Sequence, residues 1–212
     1  MDSNFWLERW NKNEIGFHRN EANPILVKFF NQLSLKDKDR IFIPLCGKTL
    51  DISWLISNGF KVVGVELSEI AIQQLFSDIN IKPNISEIKN FKHYSSENID
   101  IYVGDFFNMT KEILGNVDAI YDRACIIALP EEMRNNYAKH LVNISNNTNQ
   151  LLITFDYNQN ERQGPPFSVS EEEVNRHYKD SYNINLLESS DISESMKSNT
   201  TIKENVWLLT KR

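Results

Sequence analysis

Arg40-Ile-Phe-Ile-Pro-Leu-Cys-Gly-Lys-Thr49 reads as a short apolar strand running into a tight turn that holds Gly47. Asp51 to Asn58 then places Ile52, Leu55 and Ile56 at helical spacing and stops at Gly59, a suitable left-handed terminator. A second apolar strand, Lys61 to Glu66, ends on an acid. Gly47 and Glu66 stand about twenty residues apart, the separation at which a Rossmann-type unit sets a carboxylate against ribose hydroxyls. A carboxylate accepts two hydrogen bonds from a vicinal diol, and a glycine lets backbone approach a ligand closely. The unit therefore reads as a nucleoside-cofactor site.

The identity of the cofactor depends on the glycines around that turn. Gly47-Lys48-Thr49 resembles the end of a triphosphate loop, but Phe42 stands where such a loop needs a second glycine. A dinucleotide loop needs three glycines so that pyrophosphate can approach the helix N-terminus, and only Gly47 is present. A site without pyrophosphate, such as one for S-adenosylmethionine, needs fewer. The glycine count favours that reading, while a nicotinamide-dependent oxidoreductase and a binding-only protein remain open alternatives.

The remaining chain alternates strand and helix, as in a mostly parallel sheet covered on both faces. Ser68 is a candidate N-cap for a helix over Glu69 to Asp78. Residues 79 to 98 lack periodicity and read as an irregular excursion with a short helix and a hairpin-like turn. Further strands are expected over Ile99 to Val103, Val117 to Asp122 and Leu151 to Phe155, and a helix over Glu131 to Ser145. Ser170-Glu-Glu-Glu173 opens another helix, with acids suited to its N-terminus. Ile184 to Leu187 and Asn205 to Leu209 complete an antiparallel edge hairpin. Gly164-Pro165-Pro166-Phe167 is a stiff loop barred from helix and central strand. Before residue 40 the chain is aromatic, with Phe5, Trp6, Trp10, Phe17, Phe29 and Phe30. We expect residues 1–39 to cap the cofactor cleft within a single domain of residues 1–212.

The 212 residues suffice for one substantial α/β domain, and 41% hydrophobic with 25% charged residues is an ordinary globular balance. A formal net charge of -6 argues against nucleic acid, whose phosphates call for clustered Lys and Arg. The sequence shows no membrane-length apolar run and no secretory signal at Met1-Asp2-Ser3-Asn4, so the expectation is a cytoplasmic protein. Cys46 and Cys125 read as small buried hydrophobes. His18, His93, His140 and His177 lack ligand spacing, so no metal is expected.

In an open α/β sheet, ligands bind beyond the carboxyl ends of the strands. The candidates there are Leu45 and Gly47, Glu66 as ribose acceptor, Asp105 for an adenine amine with Phe106 offering its amide or ring, and Arg123. Arg123 can clamp the donor's carboxylate or steady an anionic acceptor; the plainer alternative is an ion pair with Asp122 or Glu66.

Phe5-Trp6-Leu7-Glu8-Arg9-Trp10, Ile15-Gly16-Phe17-His18, Pro44-Leu45-Cys46-Gly47-Lys48, Gly64-Val65-Glu66-Leu67-Ser68-Glu69, Tyr121-Asp122-Arg123-Ala124 and Gly164-Pro165-Pro166-Phe167 occur in that order. Together they resemble the thiopurine S-methyltransferases, particularly the bacterial members, over nearly the whole chain. The resemblance implies a class I methyltransferase fold: a Rossmann-like, seven-stranded, mostly parallel sheet with an antiparallel last strand and helices on both faces. It implies S-adenosylmethionine as methyl donor and a small aromatic thiol, such as a thiopurine, as acceptor for a monomeric enzyme. An oxygen or nitrogen acceptor, or a selenium or tellurium oxyanion, is the alternative. The family's cofactor contacts fall on Trp10, Leu45, Glu66 and Arg123, with Phe17, Pro166 and Phe167 on the acceptor side. No catalytic base is implied, and His18 is expected to link the arm to the body by hydrogen bonding. One departure is the segment Asp191 to Lys197, which looks shortened against the family's arginine-bearing loop.

Overall fold

Residues 3–212 are described in the computed structural model. Met1 and Asp2, where the reading of the N-terminus begins, lie outside the described residues. The chain divides into two compact units, one ending at Ala119 and the other spanning Ile120–Arg212.

The first unit runs α1 (Ser3–Asn11), α2 (Pro24–Phe29), β1 (Arg40–Ile43), α3 (Asp51–Ser57), β2 (Lys61–Glu66), α4 (Glu69–Asp78), β3 (Asn84–Ile88), β4 (Phe91–Ser96), β5 (Ile99–Val103) and the single turn α5 (Lys111–Leu114). Its strands lie in the order β3-β4-β5-β2-β1. β1 pairs with β2 and β2 with β5 in parallel. The interior residues of β1 and β2 are buried without alternation, as strands covered on both faces must be. α4 begins where its sequence predicts: the Ser68 hydroxyl accepts from Ala71 N at 3.3 Å, and Ala71, Ile72, Leu75 and Phe76 form the buried face. α3 stops at Gly59, whose φ of +89° suits glycine.

The second unit runs β6 (Ala119–Arg123, begun by the last residue of the first), α6 (Glu131–Ser145), β7 (Asn149–Asp156), α7 (Glu171–Tyr178), β8 (Tyr182–Asp191) and β9 (Lys203–Lys211). Its strand order is β6-β7-β9-β8. The last strand, β9, is antiparallel to both neighbours, as expected.

Nine strands are present among the described residues, five in the first unit and four in the second, so the expected count of seven is corrected. The two additional strands are β3 and β4, an antiparallel hairpin inside the segment read as irregular. Asn84, Ile85, Ser86 and Glu87 of β3 are exposed, and only Phe91 and Tyr94 are buried in β4. With no buried stripe there was no period to detect. Lys89, at φ +54°, makes the turn between them. No helix lies between residues 79 and 98.

Candidate functional site

At the carboxyl end of β2 the Glu66 side chain is 6% exposed. Its Oε2 accepts from Gly47 N at 2.9 Å and its Oε1 from Ser68 N at 2.8 Å. The strand itself is clamped there, because Gly104 N donates to Glu66 O at 2.8 Å and Cys46 N donates to Val65 O at 3.0 Å. Burial pushes the Glu66 pKa up, while the amides of Ser68, Gly47 and Leu67 pull it down without cancelling the rise. No cation of its own unit pairs with it among the described residues. This is no ordinary surface acid. An ionised carboxylate offers about four acceptor positions, and the two amides that reach it in hydrogen-bond geometry, those of Gly47 and Ser68, leave about two, one on each oxygen. A vicinal diol matches what remains.

The loop feeding that carboxylate is strained where it turns. Leu45 sits at φ +45° and Gly47 at φ +52°. The left-handed region costs a branched residue such as Leu45 roughly 1–2 kcal/mol, and such strain concentrates at functional sites. A Cβ added to Gly47 would lie 3.0 Å from Cζ2 of Trp10. The Trp10 ring therefore lies against the glycine, and at 4% exposure it is part of the core. Phe17 meets Trp10 edge-on at 5.6 Å and Trp6 at 5.8 Å, so the aromatic arm is one packed cluster. The arm is also tied to α3, since Asn23 N donates to the buried Asp51 Oδ1 at 2.6 Å. His18 N donates to Ile15 O at 2.8 Å.

Replacing Gly47 with Ala should displace Trp10 and strain the turn together. The expected result is a loss of about 1–2 kcal/mol in stability from the left-handed backbone alone, read by thermal melting, with weaker S-adenosylhomocysteine binding by calorimetry. An alanine variant unchanged in both would mean that neither the backbone nor Trp10 is constrained at this position.

Asp105 follows β5, the strand beside β2, so it shares a sheet end with Glu66. It is exposed, and its Oδ1 accepts from Phe107 N at 2.9 Å, capping the short turn Phe106–Asn108. The Phe106 ring is buried, while Phe107 beside it is 36% exposed. Cys46, in the turn after β1, is buried, with its Sγ on the Gly64 side of β2. Burial, then the charge of Glu66, pushes its thiol pKa up, so it stays protonated and is no nucleophile.

In the second unit, β6 ends in a sharp turn: Ala124 has φ +60°, and Cys125 follows at φ -97°, ψ -71°. Arg123 opens that turn half-exposed, and its guanidinium makes no ion pair with Asp122. Asp122 is fully buried and occupied otherwise, accepting from the Tyr137 hydroxyl at 2.7 Å and from Ile126 N at 3.3 Å. Burial pushes its pKa up to about 6. The loop with Pro166 and Phe167 is fastened inside this unit as well. Phe167 N donates to Ile127 O at 2.7 Å, and the Tyr157 hydroxyl donates to Pro166 O at 2.5 Å.

Two anchors gave no signal in the sequence. Asn23 and Asp51 are 28 positions apart. Arg134 and Glu173 form a buried two-point ion pair, Nε to Oε1 at 2.6 Å and Nη2 to Oε2 at 2.9 Å, which joins α6 to α7. Glu173 read as a helix N-terminal acid, which it also is. Spacing cannot reveal a partner on another helix.

Among the described residues no group of three or more His, Cys, Asp or Glu is placed to hold a metal, and no helix is long and apolar enough to cross a membrane.

Comparison with known proteins shows the family and the fold. The family model for thiopurine S-methyltransferase matches residues 1–212. The chain is 48% identical to a thiopurine S-methyltransferase of Teredinibacter turnerae, covering 100% of this chain and 98% of that one. It is 47% identical to one of Acinetobacter baylyi, covering 99% of both. Among solved structures, it is similar to a SAM-dependent methyltransferase of Methanosarcina mazei (TM-score 0.64, 14% identity, 90% of this chain and 99% of that one). It is also similar to a Burkholderia thailandensis 1,6-didemethyltoxoflavin-N1-methyltransferase with bound S-adenosylhomocysteine (TM-score 0.65, 12% identity, 99% and 87%). These neighbours show the fold: an α/β class I methyltransferase. The chain belongs to the thiopurine S-methyltransferase family.

Proposed function

We propose that this methyltransferase methylates a small, soft, aromatic or heterocyclic thiol, with thiopurines among its acceptors. Membership of the family makes the chain a methyltransferase with S-adenosylmethionine as cofactor. When bound, that cofactor supplies an electrophilic sulfonium methyl group for an in-line displacement. The observation that carries the reading is Glu66: a buried carboxylate held by the amides of Gly47 and Ser68, unpaired by any cation of its unit among the described residues, with acceptor capacity left on each oxygen.

The chain's own residues bind and align. Glu66 holds the ribose, and Leu45 and Gly47 bring backbone close to the nucleoside. Asp105 takes the adenine amine, with Phe106 beside it. Arg123 clamps the donor's carboxylate, for which a fork of guanidinium donors is well matched. Phe17, Pro166 and Phe167 belong to the acceptor side. Rings of Trp10 or Phe17 near the positive sulfur add about 0.5–2 kcal/mol of cation–π attraction. No general base is assigned, because an acidic heterocyclic thiol ionises near neutral pH and its thiolate is the nucleophile. Catalysis is then alignment and exclusion of water. We place the enzyme in the cytoplasm as a monomer, one domain over residues 1–212 with residues 1–39 as its cap.

Labelled S-adenosylmethionine offered with thiols, phenols, amines and selenium or tellurium oxyanions tests the acceptor. A thiopurine should be turned over well and a catechol should not. Preference for the catechol, or for an amine, would overturn the thiol assignment. The cap has its own test. Removing residues 1–17 should reduce turnover more than it lowers the melting temperature, whereas equal losses would make the arm mere packing.

A further inference from the structure

We infer that Arg134 is a positioning residue for the acceptor loop, acting through the turn after β6; this rests on the reading above that Phe167 faces the acceptor. Arg134 is 4% exposed and uses all three guanidinium nitrogens. Two go to Glu173, and Nη1 donates to Leu129 O at 3.1 Å. Leu129 closes the segment that begins at Arg123. The middle of that segment is held by Asp122, which accepts from Ile126 N at 3.3 Å. Midway, Ile127 O accepts from Phe167 N at 2.7 Å. The guanidinium thus fixes one end of a short backbone bridge, and Phe167 hangs from its centre.

Net stability alone gives little reason to keep such an arrangement. Exchanging a buried ion pair for apolar side chains of similar volume is often neutral or stabilising. What an apolar pair cannot do is donate to Leu129 O. A planar fork that satisfies a carboxylate on one edge and a carbonyl on another joins α6, α7 and the turn rigidly. The role assigned to Arg134 is therefore to set where Phe167 stands, and through it the tightness of the acceptor site. The cofactor is left unaffected.

The test compares wild type with Arg134→Met/Glu173→Leu and with Arg134→Lys, which keeps a charge for Glu173 but not the fork. Melting temperature and S-adenosylhomocysteine affinity should change little in whichever variant folds best. Exchange of the Phe167 amide with deuterium should accelerate by about tenfold or more as its bond to Ile127 loosens. With 6-mercaptopurine, KM should rise by about tenfold or more while kcat falls less, the result of a misplaced acceptor wall. An unchanged Phe167 exchange rate in a folded variant would overturn the inference whatever the acceptor is. Faster exchange with unchanged KM would overturn the link to the acceptor. Wild type that methylates no thiol would sink the acceptor reading instead, and the exchange rates would still decide whether Arg134 holds Phe167.

Discussion

Glu66→Ala should weaken S-adenosylhomocysteine binding by roughly 1.5–3 kcal/mol, the worth of hydrogen bonds to a charged group, or about 10- to 150-fold in Kd. The same change orphans the amides of Gly47 and Ser68, which the carboxylate now holds. Glu66→Gln keeps one acceptor oxygen and should fall between alanine and wild type. The pH dependence follows from burial. Burial raises the Glu66 pKa above its ordinary value of 4.5, so its contribution to folding is full below that value and is lost as pH rises through the folded pKa. Ionisation is therefore a cost in the free protein. Hydroxyl donors favour the ionised form, so binding should weaken as pH falls through the raised Glu66 pKa and should release protons around that pKa, where the free group is still partly protonated. Glu66→Gln should flatten that profile. Calorimetry in buffers of different ionisation enthalpy reads both effects, and wild-type affinity independent of pH from 4 to 7 would contradict them.

Glu173→Ala should cost about 3–5 kcal/mol of stability, the penalty for leaving one member of a buried ion pair alone. Arg134 would keep a buried charge with only Leu129 O to satisfy it, and His177 Nε2 would lose its contact at 3.0 Å. For a chain of this size that is about 10 °C in melting temperature, at some 2–4 °C per kcal/mol. Burial would raise the Glu173 pKa, but the bonds and charges of His177 and Arg134 outweigh it and hold it below 4.5. Its contribution is therefore present above pH 4.5 and lost as pH falls through the lower folded value. Adding Arg134→Met to the alanine variant should recover part of the loss. Equal melting temperatures for wild type and the alanine variant would show that the pair does not hold α6 and α7 together.

How much of this was legible depended on whether a feature is local. α4 and α6 match their expected bounds, because both carry an apolar face at helical spacing and α4 adds the Ser68 cap. β2 and β5 were equally clear as buried runs ended by Glu66 and by Gly104. β8 was underestimated: expected as Ile184 to Leu187, it spans Tyr182–Asp191, because only Tyr182 of its residues is buried and the polar half shows no apolar signal. The hairpin of β3 and β4 was hidden for the same reason. At the site, the separation of Gly47 from Glu66 was readable, but the reason for it was not. One oxygen of the carboxylate reaches back to the glycine amide itself, and the other takes Ser68, whose hydroxyl caps α4. That Trp10 presses on Gly47 was beyond any local pattern, since thirty-odd residues separate them.

The most direct measurement is a crystal structure with S-adenosylhomocysteine. The account predicts its two ribose hydroxyls at hydrogen-bonding distance, about 2.5–3.0 Å, from the two oxygens of Glu66, with Gly47 backbone alongside. Adenosine density elsewhere on the chain, or ribose hydroxyls turned to solvent while Glu66 keeps only the amides of Gly47 and Ser68, would contradict it.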